Sequence, residues 1–195
     1  MEILVVDNGT RHLRSLTHLL ESHHVPVVHR DDLRPRQAQH VDLVILTGGS
    51  SNNRHNHKPP APVVGNEQLY GPQIEVIQNS LTPLIAICLA HQLLVQSCGG
   101  TVELMQQRQS GLVDIQVTQD HPFFQGADRF QAFASHRWHA VDLPPQLKVL
   151  ARSATSIQAV CHSHRPVLGL QFPPEVAIPG HDSRDMFLKY LSCIQ

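Results

Sequence analysis

Pro83-Leu84-Ile85-Ala86-Ile87-Cys88-Leu89-Ala90-His91-Gln92 is the stretch whose reading decides the fold. Leu84 to Ile87 is an apolar run of buried-strand character, and a helical pattern (Leu89, Leu93, Leu94) starts directly after Cys88. Alanines stand two positions either side of the cysteine, at Ala86 and Ala90. A nucleophile on a tight strand-to-helix turn needs small neighbours there, because the turn brings backbone and side chains very close. The turn also places the thiol at a helix N-terminus, where the dipole and free N–H groups favour thiolate. Taken alone, the stretch equally fits a buried free cysteine closing a core strand.

Outward from this stretch the chain reads as α/β. Ile3 to Val6 is a short strand ended by the turn signal Asp7-Asn8-Gly9, and Leu13, Leu16, Leu19 and Leu20 mark one face of a helix. Val25 to Val28 and Val41 to Leu46 are further strands, the latter closing on Thr47-Gly48-Gly49-Ser50-Ser51. This order predicts a three-layer fold, with a mostly parallel central sheet flanked by helices. Sites in such sheets form at the carboxyl ends of the strands, where Gly48-Gly49 and Cys88 both fall. Residues 50–71 are polar and rich in proline and asparagine, and read as a long surface loop, either a lid or a solvated insertion. A helix over Pro72 to Asn79 follows.

After the helix stop at Gly99-Gly100 the texture turns to β. Strands are predicted over Thr101–Met105, Gly111–Thr118, Arg129–Ala134, Leu147–Ser153, Ile157–His162 and Val167–Phe172, with a closing helix over Ser183–Cys193. No repeat or boundary divides the 195 residues, so one domain over 1–195 is expected.

A formal net charge of -1 argues against nucleic acid or a membrane surface as principal partner. No segment approaches the roughly 18 apolar residues of a membrane-spanning helix. Met1 to Asp7 lacks the basic start of a signal peptide. The four cysteines are widely spaced without a CxxC, which indicates free thiols and a cytoplasmic setting. Fifteen histidines invite a search for metal, but they are scattered, with no HExxH and no structural-zinc spacing. No metal or other cofactor is expected.

Several segments, in order, resemble the class I glutamine amidotransferases, the glutaminase domains that supply ammonia to synthases. Ile3-Leu4-Val5-Val6-Asp7-Asn8-Gly9 is similar to the family's opening strand. Ile45-Leu46-Thr47-Gly48-Gly49-Ser50 resembles its oxyanion loop, where a proline often stands at the position of Ser50. Ile87-Cys88-Leu89-Ala90-His91-Gln92 resembles the nucleophile elbow, usually Gly-x-Cys-x-Gly-x-Gln. Gly169-Leu170-Gln171-Phe172-Pro173-Pro174-Glu175 resembles Gly-x-Gln-Phe-His-Pro-Glu, and Ser135-His136-Arg137-Trp138-His139 a segment lining the glutamine site. The resemblance implies a flavodoxin-like fold with extra β strands in the C-terminal half.

It further implies that Cys88 attacks the glutamine carboxamide and that Leu89 and Gly49 N–H groups hold the oxyanion. Gly48, Gln92, Ser135 and His136 would bind glutamine, and Glu175 would orient the catalytic histidine. That histidine is missing: Pro173 occupies its place, and proline can neither take nor give a proton. The first expectation is therefore a weak or inactive glutaminase, a pseudoenzyme acting through glutamine binding or through regulation of a partner. The alternative is an active glutaminase using His136 or His139 as substitute base, although both also fit pocket-lining or surface roles. Glu175 could itself face Cys88, but a carboxylate is a poor base for a thiol unless burial raises its pKa. A γ-glutamyl hydrolase or peptidase needs the same base and stands further off. Ammonia would require a separate synthase partner. Guanylate, anthranilate, aminodeoxychorismate and carbamoyl phosphate synthases all use related domains.

Overall fold

The computed structural model describes residues 1–49 and 63–194. Its strands are β1 (Ile3–Asp7), β2 (Val27–His29), β3 (Leu43–Leu46), β4 (Leu84–Ile87), β5 (Thr101–Val117), β6 (Arg129–Asp142), β7 (Leu147–Arg152), β8 (Ile157–His162) and β9 (Val167–Leu170). The helices are α1 (Leu13–Leu19), α2 (Gly71–Asn79), α3 (Leu89–Ser97) and α4 (Ser183–Cys193). The strands form a nine-stranded sheet in the order β2-β1-β3-β4-β9-β8-β7-β5-β6. From β2 to β9 every pairing is parallel, and from β9 to β6 every pairing is antiparallel.

Successive strand residues point to opposite faces, and both faces of the parallel half are covered. Leu4, Val6, Val44, Leu46, Leu84 and Ala86 face one core, packed with Val76 and Ile77 of α2 and Leu93 and Leu94 of α3. Ile3, Val5, Leu43, Ile45, Ile85 and Ile87 face the other, with Leu16 and Leu19 of α1 and Phe187 and Leu191 of α4. This is the three-layer α/β arrangement that the apolar runs predict. Among the described residues no helix is long and apolar enough to cross a membrane.

Three sequence expectations need correction. The β-rich segment after Gly100 holds one strand, β5, where two are predicted. Gly111, at φ 105°, lets the chain continue through a conformation other residues resist. The pairing of β5 with β6 shifts register between Leu104 and Gln109, which is where the sequence reads as a gap. Strand β6 runs on to Asp142, so Ser135 to His139 lie within it. The expected loop over residues 50–71 also ends earlier: Val63 and Tyr70 are buried in the α2–α3 core, since apolar side chains there have a core to join. Residues 50–62 of that loop, Ser50 included, lie outside the described residues.

Candidate active site

Cys88 sits between β4 and α3 with φ 51° and ψ -101°. A positive φ at a residue with a Cβ costs about 1–3 kcal/mol and persists only where its surroundings enforce it. Two backbone bonds do so. The Cys88 N–H donates to the Leu170 carbonyl at 2.7 Å, and the Cys88 carbonyl accepts from Gln92 N–H at 3.1 Å. Space at the elbow is tight, because a Cβ added to Gly48 would lie 3.2 Å from Cys88 Cβ and 3.9 Å from its Sγ. Glycine at 48 is what lets the end of β3 approach the thiol.

The β3 end is held from below by buried amides. Asn8 N–H donates to Thr47 Oγ1 at 2.9 Å, and Asn8 Nδ2 donates to the Thr47 carbonyl at 2.8 Å. Asn8 and Gln73 also exchange side-chain amide bonds of 3.0 and 2.8 Å, which ties β1, β3 and α2 together beneath Gly48-Gly49. Nothing in the sequence patterning singles out Gln73.

A cavity of about 310 Å³ opens on Cys88. The structure brings all but one of the sequence-derived candidates to it: Gly48 and Gly49 from the β3 end, Cys88, Leu89 and Gln92 from the elbow, Ser135 and His136 from β6, and Pro173 and Glu175 after β9. His139 is not among the residues that line it. Arg11 and Arg108, which the sequence reading does not pick out, and Arg137, from the quoted Ser135–His139 segment, line the cavity and are exposed. Arg108 donates to Ser135 Oγ at 2.7 Å. Gln92 Nε2 donates to the Trp138 carbonyl at 2.9 Å and to Gln171 Oε1 at 3.3 Å, which buttresses α3 against β6 and β9. Gln171 Nε2 lies 3.8 Å from Cys88 Sγ.

Electrostatics at the site run against the expectation of a thiolate. The Leu89 N–H does favour the anion, but burial, reinforced by the Glu175 charge, pushes the Cys88 thiol up to about 12. Glu175 is fully buried, both its carboxylate oxygens lack hydrogen-bond partners among the described residues, and burial raises it to about 7. His136 Nδ1 pairs with the Trp138 carbonyl at 3.1 Å, and its buried Nε2 has no partner among the described residues. Burial drives His136 down to about 4 and His91 to about 3, so both are neutral at pH 7. His91 packs where Gly169 leaves room, since a Cβ on Gly169 would meet its Nδ1 at 2.7 Å.

A cysteine on a strained strand-to-helix turn, at the carboxyl ends of parallel strands and beside a glycine loop, is the arrangement of an acyl-transfer thiol site. The family comparison agrees. The model of glutamine amidotransferase class-I matches residues 4–193, and the chain belongs to that family. One subunit of the glutamine-hydrolyzing GMP synthase of Pyrococcus abyssi is 31% identical over 92% of each chain. The protein of the same description from Methanothrix thermoacetophila is 32% identical, covering 97% of this chain and 98% of its own. A solved structure from Thermoplasma acidophilum, 22% identical, matches with a TM-score of 0.84 over 100% of this chain and 94% of its own. A glutamine amidotransferase from Thermotoga maritima, 19% identical, does so at 0.70 over 99% and 81%.

Proposed function

We propose that this chain is a glutamine-binding amidotransferase domain in which hydrolysis is crippled, and that it acts by holding glutamine or by regulating a separate synthase. The observation that supports this most is the thiol's surroundings. Among the described residues no imidazole bonds Cys88, and Pro173 stands where the resemblance puts the catalytic histidine.

In this reading Cys88 Sγ faces the glutamine carboxamide, with the N–H groups of Leu89 and Gly49 directed at the oxyanion. Gly48, Gln92, Ser135 and His136 shape the pocket around the amino acid. Positioning and oxyanion stabilisation survive, whereas proton transfer, worth on the order of 10²–10⁴-fold, is lost. The leaving nitrogen suffers most, because amide anion is a far poorer leaving group than ammonia. That the similar archaeal proteins are each one subunit of a GMP synthase supports a separate synthase as partner.

A second reading keeps full activity and makes His136 the base, favoured by its unpaired Nε2 in the same cavity. Calorimetry with glutamine and a glutamate-release assay separate the two. The first reading predicts saturable glutamine binding by the natural protein and by Cys88→Ala, with little glutamate released. Brisk release that disappears in both Cys88→Ala and His136→Gln would establish the second.

A further inference from the structure

We propose that the Gln171 side-chain amide is a catalytic hydrogen-bond donor to Cys88 Sγ, oriented by Gln92, and that it stabilises the thiolate. The inference rests on the reading of Cys88 as the nucleophile and goes beyond it by assigning the donor to its sulfur.

The backbone sets the two side chains side by side. Strands β4 and β9 are parallel neighbours in a register that pairs Ile87 with Leu170, so Cys88 and Gln171 follow at the same level. The Cys88 N–H donates to the Leu170 carbonyl at 2.7 Å, and the Gln171 N–H donates to the Gln158 carbonyl of β8 at 2.8 Å. Residues 170 and 171 are thereby clamped between the elbow and β8. Gln171 is 0% exposed and is not among the residues lining the cavity. Its amide therefore reaches the sulfur from the protein side and leaves the cavity side to a substrate. Nε2 lies 3.8 Å from Cys88 Sγ, a length suited to an N–H donor on sulfur, which is larger than oxygen.

Which end of the Gln171 amide meets the sulfur follows from the bonds behind it. The Trp138 carbonyl can only accept, so the Gln92 atom 2.9 Å from it is the amide nitrogen. That nitrogen has a second hydrogen, and it donates to the Gln171 atom 3.3 Å away, which is therefore Oε1. With its oxygen turned to Gln92, Gln171 turns its nitrogen to Cys88. A carbonyl of β6, an amide of α3 and an amide at the β9 end thus form one directed chain that ends on the thiol. None of these three groups titrates, so the direction is the same at every working pH.

A thiol sulfur is a weak acceptor, whereas a thiolate is a charged and much stronger one. The same N–H therefore gains more from the anion than from the neutral thiol, and it favours ionisation, with the proton leaving through the open cavity to solvent. Burial and the Glu175 charge work the other way and push the thiol up to about 12, against the help of the Leu89 N–H. The other charged or titratable groups facing the cavity are His136 from β6, Arg11 and His12 before α1, and Arg108 and Arg137 from the hairpin. Among the described residues the side chain that donates to Cys88 Sγ is Gln171. A neutral amide cannot take the thiol proton, so Gln171 does not replace the missing base. It lowers the cost of the anion that the site must form.

A donor and a packing residue predict opposite changes in the thiol. Gln171→Met keeps the length of the side chain and removes its N–H. The rate at which iodoacetamide modifies Cys88 at about pH 8, followed by mass spectrometry with Cys88→Ala as the blank, reads the difference. Losing the donor lowers the thiolate fraction about tenfold, the order expected of a hydrogen bond to a charged group, and the greater nucleophilicity of a less acidic thiol returns part of that. Modification of Gln171→Met about threefold slower than that of the natural protein is therefore expected. Gln92→Met, which frees the Gln171 amide to turn, should slow the reaction in the same direction by less. A residue that only packs would loosen the elbow when replaced and leave the thiol as reactive or more so. Gln171→Met reacting as fast as the natural protein, or faster, would overturn the proposal. If Gln171→Met fails to fold, Gln92→Met decides alone, and an unchanged or faster rate there overturns it as well. Protection of Cys88 by glutamine is scored separately. No protection alongside the expected order of rates would retire the glutamine reading and leave the donor standing.

Discussion

Strands β4 and β9 are hydrogen-bonded neighbours whose carboxyl ends open on one cavity, yet they have kept different parts of the site. The β4 end carries a strained cysteine, a helix start and small flanking residues. The β9 end carries Gln171, Phe172 and Glu175, with Pro173 and Pro174, which have no titratable side chain, between them. One end presents a thiol to the cavity, while the other brings no imidazole into contact with it among the described residues. The contrast separates positioning, which backbone and packing supply, from proton transfer, which needs one particular side chain.

The comparison can be sharpened from the β9 side first. Glu175 in the folded protein is raised from 4.5 to about 7. The folded state therefore binds that proton more tightly than the unfolded chain, and stability is lost as pH rises through this window. About 3 kcal/mol is at stake, at 1.36 kcal/mol per pKa unit. Denaturant melts of Glu175→Gln and the natural protein should show the stability difference moving toward the variant by about that amount between about pH 4 and pH 8. A constant difference would mean that the carboxyl is not buried as described.

Gly169→Ala probes the packing between the two ends. Its Cβ would meet His91 Nδ1 at 2.7 Å, Leu94 at 2.9 Å and Val160 at 2.9 Å, so a loss of about 2 kcal/mol is expected in the same melts. Gly48→Ala is milder, because its contact with Cys88 Cβ is 3.2 Å. It should change stability by less than about 1 kcal/mol. It should nonetheless slow capture of Cys88 by a glutamine-analogue chloroketone several-fold, by crowding the thiol.

Much of the fold was legible from period and punctuation. The alternation in β1 and β3 places residues on both cores, and α4 spans Ser183–Cys193 as its spacing predicts. The long hairpin was not legible, because the polar residues 106–110 read as a break between two strands while the backbone runs through. At the site, the candidate residues converge on one cavity, but their ionisation did not follow from sequence. A helix N-terminus argues for thiolate, and only the three-dimensional burial of Cys88 beside Glu175 reverses the sign. The Asn8–Gln73 pair and the placement of Gln171 near the thiol depend on contacts between distant segments, which periodicity does not encode.

The central claim is that the site lacks its proton carrier and little else. Glutamate release from glutamine by Pro173→His, measured beside the natural protein and a Pro173→His/Cys88→Ala control, tests it most directly. A gain on the order of 10²–10⁴-fold, abolished in the double variant, is the predicted result. Rapid release by the natural protein, with no gain from the histidine, would contradict it.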